Sequence, residues 1–135
     1  MTTIVTRSGK GSPLTNTELD ANFSNLNADK LEHITSTITS SSTPTPPSDN
    51  VLFTITALAA NATFSAPSGT PVGGHKLIIR IKDNGTARTL GFNAIYRAVG
   101  LTLPTTTVIS KTMYIGCVYN STDAKWDVTA VVEEA

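Results

Sequence analysis

Apolar positions along this chain follow two different spacings, and the change between them divides it into parts. From Val51 onward the spacing is mostly two, as in half-buried strands. The plainest case is Lys76-Leu77-Ile78-Ile79-Arg80-Ile81-Lys82, with Leu77, Ile79 and Ile81 on one face and Lys76, Arg80 and Lys82 opposite. Asn84-Gly85 supplies the two residues of a type I′ turn, predicting a hairpin with a return strand over 86–92. Further strands are predicted over 51–56, 61–66, 111–119 and 125–132, with a looser stretch from Ile95 to Leu103. Short strands separated by turn signals predict a mainly β body, an antiparallel, jelly-roll-like β-sandwich over 51–135.

Before Val51 the spacing is helical. Leu19, Phe23 and Leu26 are separated by four and then three residues, the seam of a heptad. Lys30 interrupts the stripe, and Ile34 and Ile38 resume it with an offset. The start of the helix is signalled by Thr15 and Glu18, a capping box. Leu14 and Leu19 stand at the positions of a hydrophobic staple. A helix over about 16–32 is predicted, with a short strand over 2–6 and a flexible loop over 7–13 ahead of it. One isolated helix of roughly 17 residues is marginal in water. It needs a surface: the same helix of other chains, the chain's own β body, or a larger assembly. Leu14, Leu19, Phe23, Leu26 and Ile34 are therefore the candidate oligomerisation or anchoring residues.

Residues 35–50 are rich in Ser, Thr and Pro. Such composition favours an extended spacer, which at about 3.1 Å per residue approaches roughly 50 Å. The alternative is an ordered loop wrapped on the body. The expected organisation is an anchoring segment over 1–34, a linker over 35–50 and the β domain over 51–135.

Composition narrows the function. The chain has 135 residues, with 10 Lys and Arg balanced by 10 Asp and Glu. That balance argues against capture of nucleic acid or of an anionic membrane. No apolar run reaches the ~18 residues of a membrane span, and no secretory signal is visible. Cys117 is the only cysteine, expected as a buried inert thiol. His33 and His75 have no metal-ligand spacing around them. Asp83 and Asp123 read as turn residues and Asp127 as solvated. No nucleophile elbow, P-loop or dinucleotide fingerprint occurs, so neither an enzyme nor a cofactor is expected. Tyr96 and Trp126 are the candidate aromatic contacts for a sugar, though the commoner role of such rings is packing. Arg80 and Arg88, with Lys76 and Lys82, are expected to cluster across the Asn84-Gly85 hairpin; Arg80 and Arg88 are the further candidate ligand contacts, though such a cluster is usually a solvated face that protects an edge strand.

Residues 10–27, Lys-Gly-Ser-Pro-Leu-Thr-Asn-Thr-Glu-Leu-Asp-Ala-Asn-Phe-Ser-Asn-Leu-Asn, resemble a motif near the N-termini of tailed-bacteriophage fibre and other virion structural proteins. Its pattern is G-S-x-L-T-x-x-E-L-D-x-N-F-x-N-L. The stretches 81–90, 103–108 and 125–128 resemble, more weakly, short β domains of such proteins. The resemblance implies a homotrimeric appendage of the virion, made in the host cytoplasm, with an anchored N-terminus and a distal β head. Its partners would be further copies of itself, other tail or capsid proteins and a host surface glycan. The chain departs from long tail fibres in being short and lacking repeats, which leaves a short tail or head fibre and a capsid decoration protein open.

Overall fold

The computed structural model describes residues 4–28 and 33–135. The chain forms two compact units, which meet between residues 32 and 33 in sequence.

In the first unit, α1 (Arg7–Lys10) occupies the region expected to be a flexible loop. Thr6 caps it, its Oγ1 accepting from the Gly9 N–H at 3.1 Å, and Gly11 at φ 73° ends it. Residues 4–6 are irregular, not a strand. Helix α2 (Asn16–Ala28) follows. Asn22 ties it to the preceding chain, accepting from the Val5 N–H at 2.8 Å and donating to the Val5 carbonyl at 2.7 Å. The last expected turn of the helix, with Lys30, lies outside the described residues.

The second unit begins with a departure from expectation. Ile34 and Ile38 do not continue a helical seam; they bound strand β1 (Ile34–Ile38). Both are half-buried against the core of this unit. Strands β2 (Val51–Leu58), β3 (Ala62–Phe64), β4 (Lys76–Asp83), β5 (Leu90–Phe92), β6 (Tyr96–Ala98), β7 (Thr112–Asn120) and β8 (Lys125–Glu133) follow. The larger sheet has the order β1-β2-β4-β7-β8-β6, and β3 pairs with β5 in a second, two-stranded sheet.

The body is mainly β, but it is not an antiparallel sandwich. β1–β2, β2–β4, β3–β5 and β6–β8 are parallel; only β4–β7 and β7–β8 are antiparallel. Ile34 pairs with Val51, and Val51 with Leu77, so successive passes of the chain stack in register. The second side repeats the stacking. The Thr63 and Ser65 N–H groups donate to the Ser42 and Pro44 carbonyls, and the Asn93 N–H to the Phe64 carbonyl, all at 2.9 Å. The arrangement is a short β-solenoid of about three coils, followed by the β7–β8 hairpin.

The expected spacer over 35–50 is thus the first coil. Pro44, Pro46 and Ser48 are buried, and their neighbours Thr45 and Asp49 are exposed. The prolines donate no N–H to the next coil, but the Pro44 and Pro46 carbonyls accept from Ser65 and Ser68, so the coil still pairs through its acceptors. Close approach of the coils also explains Gly69 (φ 97°), where a Cβ would stand 2.7 Å from the Ser48 hydroxyl.

Asn84-Gly85 does not close a two-residue hairpin either. Gly85 (φ 90°) turns the chain out of β4 toward β5, and β4 finds its antiparallel partner in β7. The corner is held by Asp83, which is 3% exposed. Its carboxylate accepts from the Gly85 N–H (3.0 Å), the Ser110 N–H (2.9 Å) and the Thr107 hydroxyl (2.8 Å). Burial raises the Asp83 pKa, and these three donors, with Arg88 nearby, more than offset it, so the group lies below the usual carboxylate value.

The core lies between the inner face of the large sheet and the second side of the coils. Phe53, Ile55, Leu77, Ile79, Ile81, Ile115, Trp126 and Val128 fill it from one side and Phe64 and Leu90 from the other. Phe64 stacks on Phe92 (ring centroids 5.2 Å), and Phe92 and Tyr96 meet edge to face (5.7 Å).

Candidate functional site

Two surfaces, one on each unit, present apolar groups to solvent. The first is on α2. Its N-terminus forms the capping box: the Glu18 carboxylate accepts from the Thr15 N–H (2.7 Å), and Thr15 Oγ1 accepts from the Glu18 N–H (3.2 Å). Lys10 Nζ also donates to the same Glu18 oxygen. The Lys10 hydrogen bond first, and then the Thr15 N–H and hydroxyl, lower the Glu18 pKa to about 2. A folded-state pKa below the unfolded value of about 4.3 means that the box stabilises the unit above that value. The contribution is lost as pH falls from there toward 2. An NMR titration of the Glu18 carboxyl and the Thr15 amide is expected to give one shared midpoint near 2. A midpoint above 4 would show the box open in solution.

Beyond the cap, Leu14 is half-buried, but Leu19, Phe23 and Leu26 are 41%, 69% and 64% exposed. The helix therefore has a built start and an uncovered apolar stripe. Ile34 does not extend the stripe, because it belongs to β1.

The second surface is the outer face of the large sheet. Alternation of buried and exposed residues on β4 leaves Lys76, Ile78, Arg80 and Lys82 outside. Strand register continues each of them across β7 and β8. Ile78 lies beside Gly116 and Gly116 beside Ala130; Arg80 lies beside Tyr114 and Tyr114 beside Val132. At one end Lys76 leads through Val118 to Asp127. At the other, Lys82 leads to Thr112, whose carbonyl accepts from the Glu134 N–H at 2.8 Å. The Arg80 guanidinium lies over the Tyr114 ring at 5.9 Å. Ile78 (41%), Tyr114 (39%), Val118 (36%) and Val132 (57%) are the large exposed apolar groups here.

The other predicted contacts do not gather into a site. Trp126 is fully buried and tilts against Tyr119 (centroids 5.2 Å), and Tyr96 is 5% exposed with its hydroxyl donating to the Ser65 carbonyl. Neither ring is available to a sugar. Arg88 does not join Arg80 across a hairpin; its Nη2 donates to Asn84 Oδ1 at 3.0 Å at the β4 corner. Asp127 is not simply solvated, since Arg97 Nε and Nη2 hold its two oxygens at 2.7 and 3.0 Å. The Arg97 contact first, and Asn120 after it, hold the Asp127 carboxyl below the usual range despite some desolvation. Asp123 is a turn residue that also meets Arg97 at 2.9 Å. Cys117 is buried, and burial pushes its thiol up to about 12, which keeps it protonated and unreactive. His75 Nδ1 lies 3.0 Å from the Ser48 carbonyl, not from the hydroxyl, so the pair is not a nucleophile and its base. Among the described residues no group of three or more His, Cys, Asp or Glu is placed to hold a metal ion, and no helix is long and apolar enough to cross a membrane.

No protein-family model matches the chain, and comparison with curated proteins and with solved structures likewise gives no match.

Proposed function

We propose that this chain is a non-enzymatic structural subunit of a tailed-phage virion. It would be a short tail or head fibre that assembles as a homotrimer through its N-terminal unit and carries the β-solenoid as its outer body. The observation that supports this reading best is the uncovered stripe of Leu19, Phe23 and Leu26 on a helix whose N-terminus is closed by a capping box. Burial of such side chains contributes about 1.5–3 kcal/mol each, enough to drive association when several copies contribute at once. The likeness of residues 10–27 to virion N-termini supplies the context. The buried positions of Trp126 and Tyr96 weigh against the glycan-binding alternative.

Light scattering after size exclusion is expected to give the mass of three chains at micromolar concentration. Phe23→Asp places a charge in the seam and is expected to weaken association at least about tenfold, since an unpaired buried charge is costly. A monomeric wild-type chain would end this reading. Labelled antibody on imaged particles then separates the two locations. Signal at the tail or at discrete head positions fits a fibre, and signal spread over the capsid faces would make the chain a decoration protein instead.

A further inference from the structure

We propose that Asn84 is a covalent modification site, at which the Gly85 nitrogen closes on the side-chain amide, and that the Asp83 carboxylate keeps this site shut in the folded chain. The site belongs to a single chain and stands whatever that chain assembles with. Asn84 is the only asparagine of the sequence followed by glycine. Both residues are exposed at the corner after β4. Gly85, at φ 90°, has no side chain to hinder the approach of its nitrogen to the Asn84 amide, and a Cβ there would meet nothing nearer than Ser110 Oγ at 4.0 Å. Two groups of the corner already touch the reacting atoms. Arg88 Nη2 donates to Asn84 Oδ1 at 3.0 Å, and Asp83 Oδ1 accepts from the Gly85 N–H at 3.0 Å.

The reaction needs only water and hydroxide. Hydroxide takes the Gly85 amide proton, and the nitrogen electron pair forms a bond to Asn84 Cγ. The Cγ–Nδ2 bond then breaks, and Nδ2 leaves as ammonia with a proton from water, which restores the hydroxide. Water opens the resulting cyclic imide at one carbonyl or the other, giving aspartate or isoaspartate. The two contacts act on this sequence in opposite senses. The Arg88 cation stabilises negative charge as it develops on Oδ1 and so prepares the electrophile. The Asp83 anion holds the proton that has to leave and opposes the negative charge that its loss creates on nitrogen. Asp83 acts first, because no nucleophile exists until that proton is gone. Its carboxyl lies below the usual carboxylate value, so the guard is charged throughout the neutral and alkaline range in which the reaction runs.

Peptide mapping by mass spectrometry, on the full-length chain held in mildly alkaline buffer, reads the conversion of Asn84, with circular dichroism to confirm that each variant is folded. The folded chain is expected to react at least about tenfold more slowly than the same chain unfolded in urea, the effect of a hydrogen bond to a charged group. Asp83→Asn keeps an oxygen for the Gly85 N–H but removes the charge, and is expected to speed the folded chain at least about threefold. Thr107→Val removes the hydroxyl from the other carboxylate oxygen and loosens the same corner while leaving the charge and Gly85 in place, and is expected to leave the rate unchanged. No conversion of Asn84 in the unfolded chain would remove the site. Equal rates in the folded and unfolded wild type would show that the corner guards nothing. An unchanged rate in folded Asp83→Asn, or an equal acceleration in Thr107→Val, would assign the protection to the stiffness of the corner and overturn the role of the carboxylate.

Discussion

Trp126→Ala is expected to destabilise the β body by about 3–5 kcal/mol, the range for removing a large aromatic side chain from a packed core. The indole has no exposed surface, packs on Tyr119 and lies on a strand whose N–H at this residue donates to the Ile95 carbonyl at 2.9 Å. That hydrogen bond belongs to the backbone and survives the substitution. The loss therefore comes from the cavity and from the uncovered neighbours on β7 and in the loop before β6. For a body of about 100 residues each kcal/mol shifts the thermal midpoint by about 4–8 °C, so a fall of at least about 12 °C is expected in calorimetry. A surface tryptophan serving a ligand would give a change within about 0.5 kcal/mol. The same measurement thus separates the packed role from the exposed, ligand-contacting one that the sequence also left open.

The position of Trp126 was open to a closer reading of the chain. Trp126 and Val128 alternate with Lys125, Asp127 and Thr129, which puts the ring on the apolar face of its strand. Residue type left a sugar contact open beside the commoner packed role, and the spacing selects the packed one. Strand β4 and the Thr15–Glu18 box were legible for the same reason, because local spacing and local hydrogen bonds determine them. The first coil was not. Pro44, Pro46 and Ser48 alternate with exposed residues as a strand does, but in a Ser/Thr/Pro context that pattern is indistinguishable from an extended spacer. Asn84-Gly85 misled differently. A turn sequence fixes the backbone at the corner and says nothing about which strand the chain meets next, and the solenoid sends it onward to β5. The outer sheet face was invisible for a third reason. β4 alone shows three cations around Ile78, an ordinary solvated edge. Its apolar centre exists only once register sets Ile78 beside Gly116 and Arg80 beside Tyr114.

Asp83→Ala is expected to cost about 2–4 kcal/mol, because one carboxylate joins three parts of the body. Its Oδ1 accepts from the Gly85 and Ser110 N–H groups and its Oδ2 from the Thr107 hydroxyl. Gly85 and Ser110 are exposed, so water replaces part of what their amides lose. Thr107 is 4% exposed, and its hydroxyl hydrogen is left without an acceptor, a loss of about 1–3 kcal/mol. Ser110 sits at φ 62°, a conformation unfavourable for a residue with a Cβ, and the Asp83 contact helps hold it there. Asp83→Asn keeps an oxygen for the two amides and exchanges only the acceptor facing Thr107, so it is expected to cost less than half as much in urea denaturation. A cycle with Thr107→Val isolates the buried pair, with a coupling of about 1–2 kcal/mol expected. The pH dependence has a fixed sign. Because the folded pKa lies below the unfolded value of about 3.9, the contribution of Asp83 is present above that value and is lost as pH falls through the folded pKa. Wild type and Asp83→Asn should therefore converge in stability in strong acid; a difference that persists unchanged there would mean that the corner is held by shape and not by the carboxylate charge.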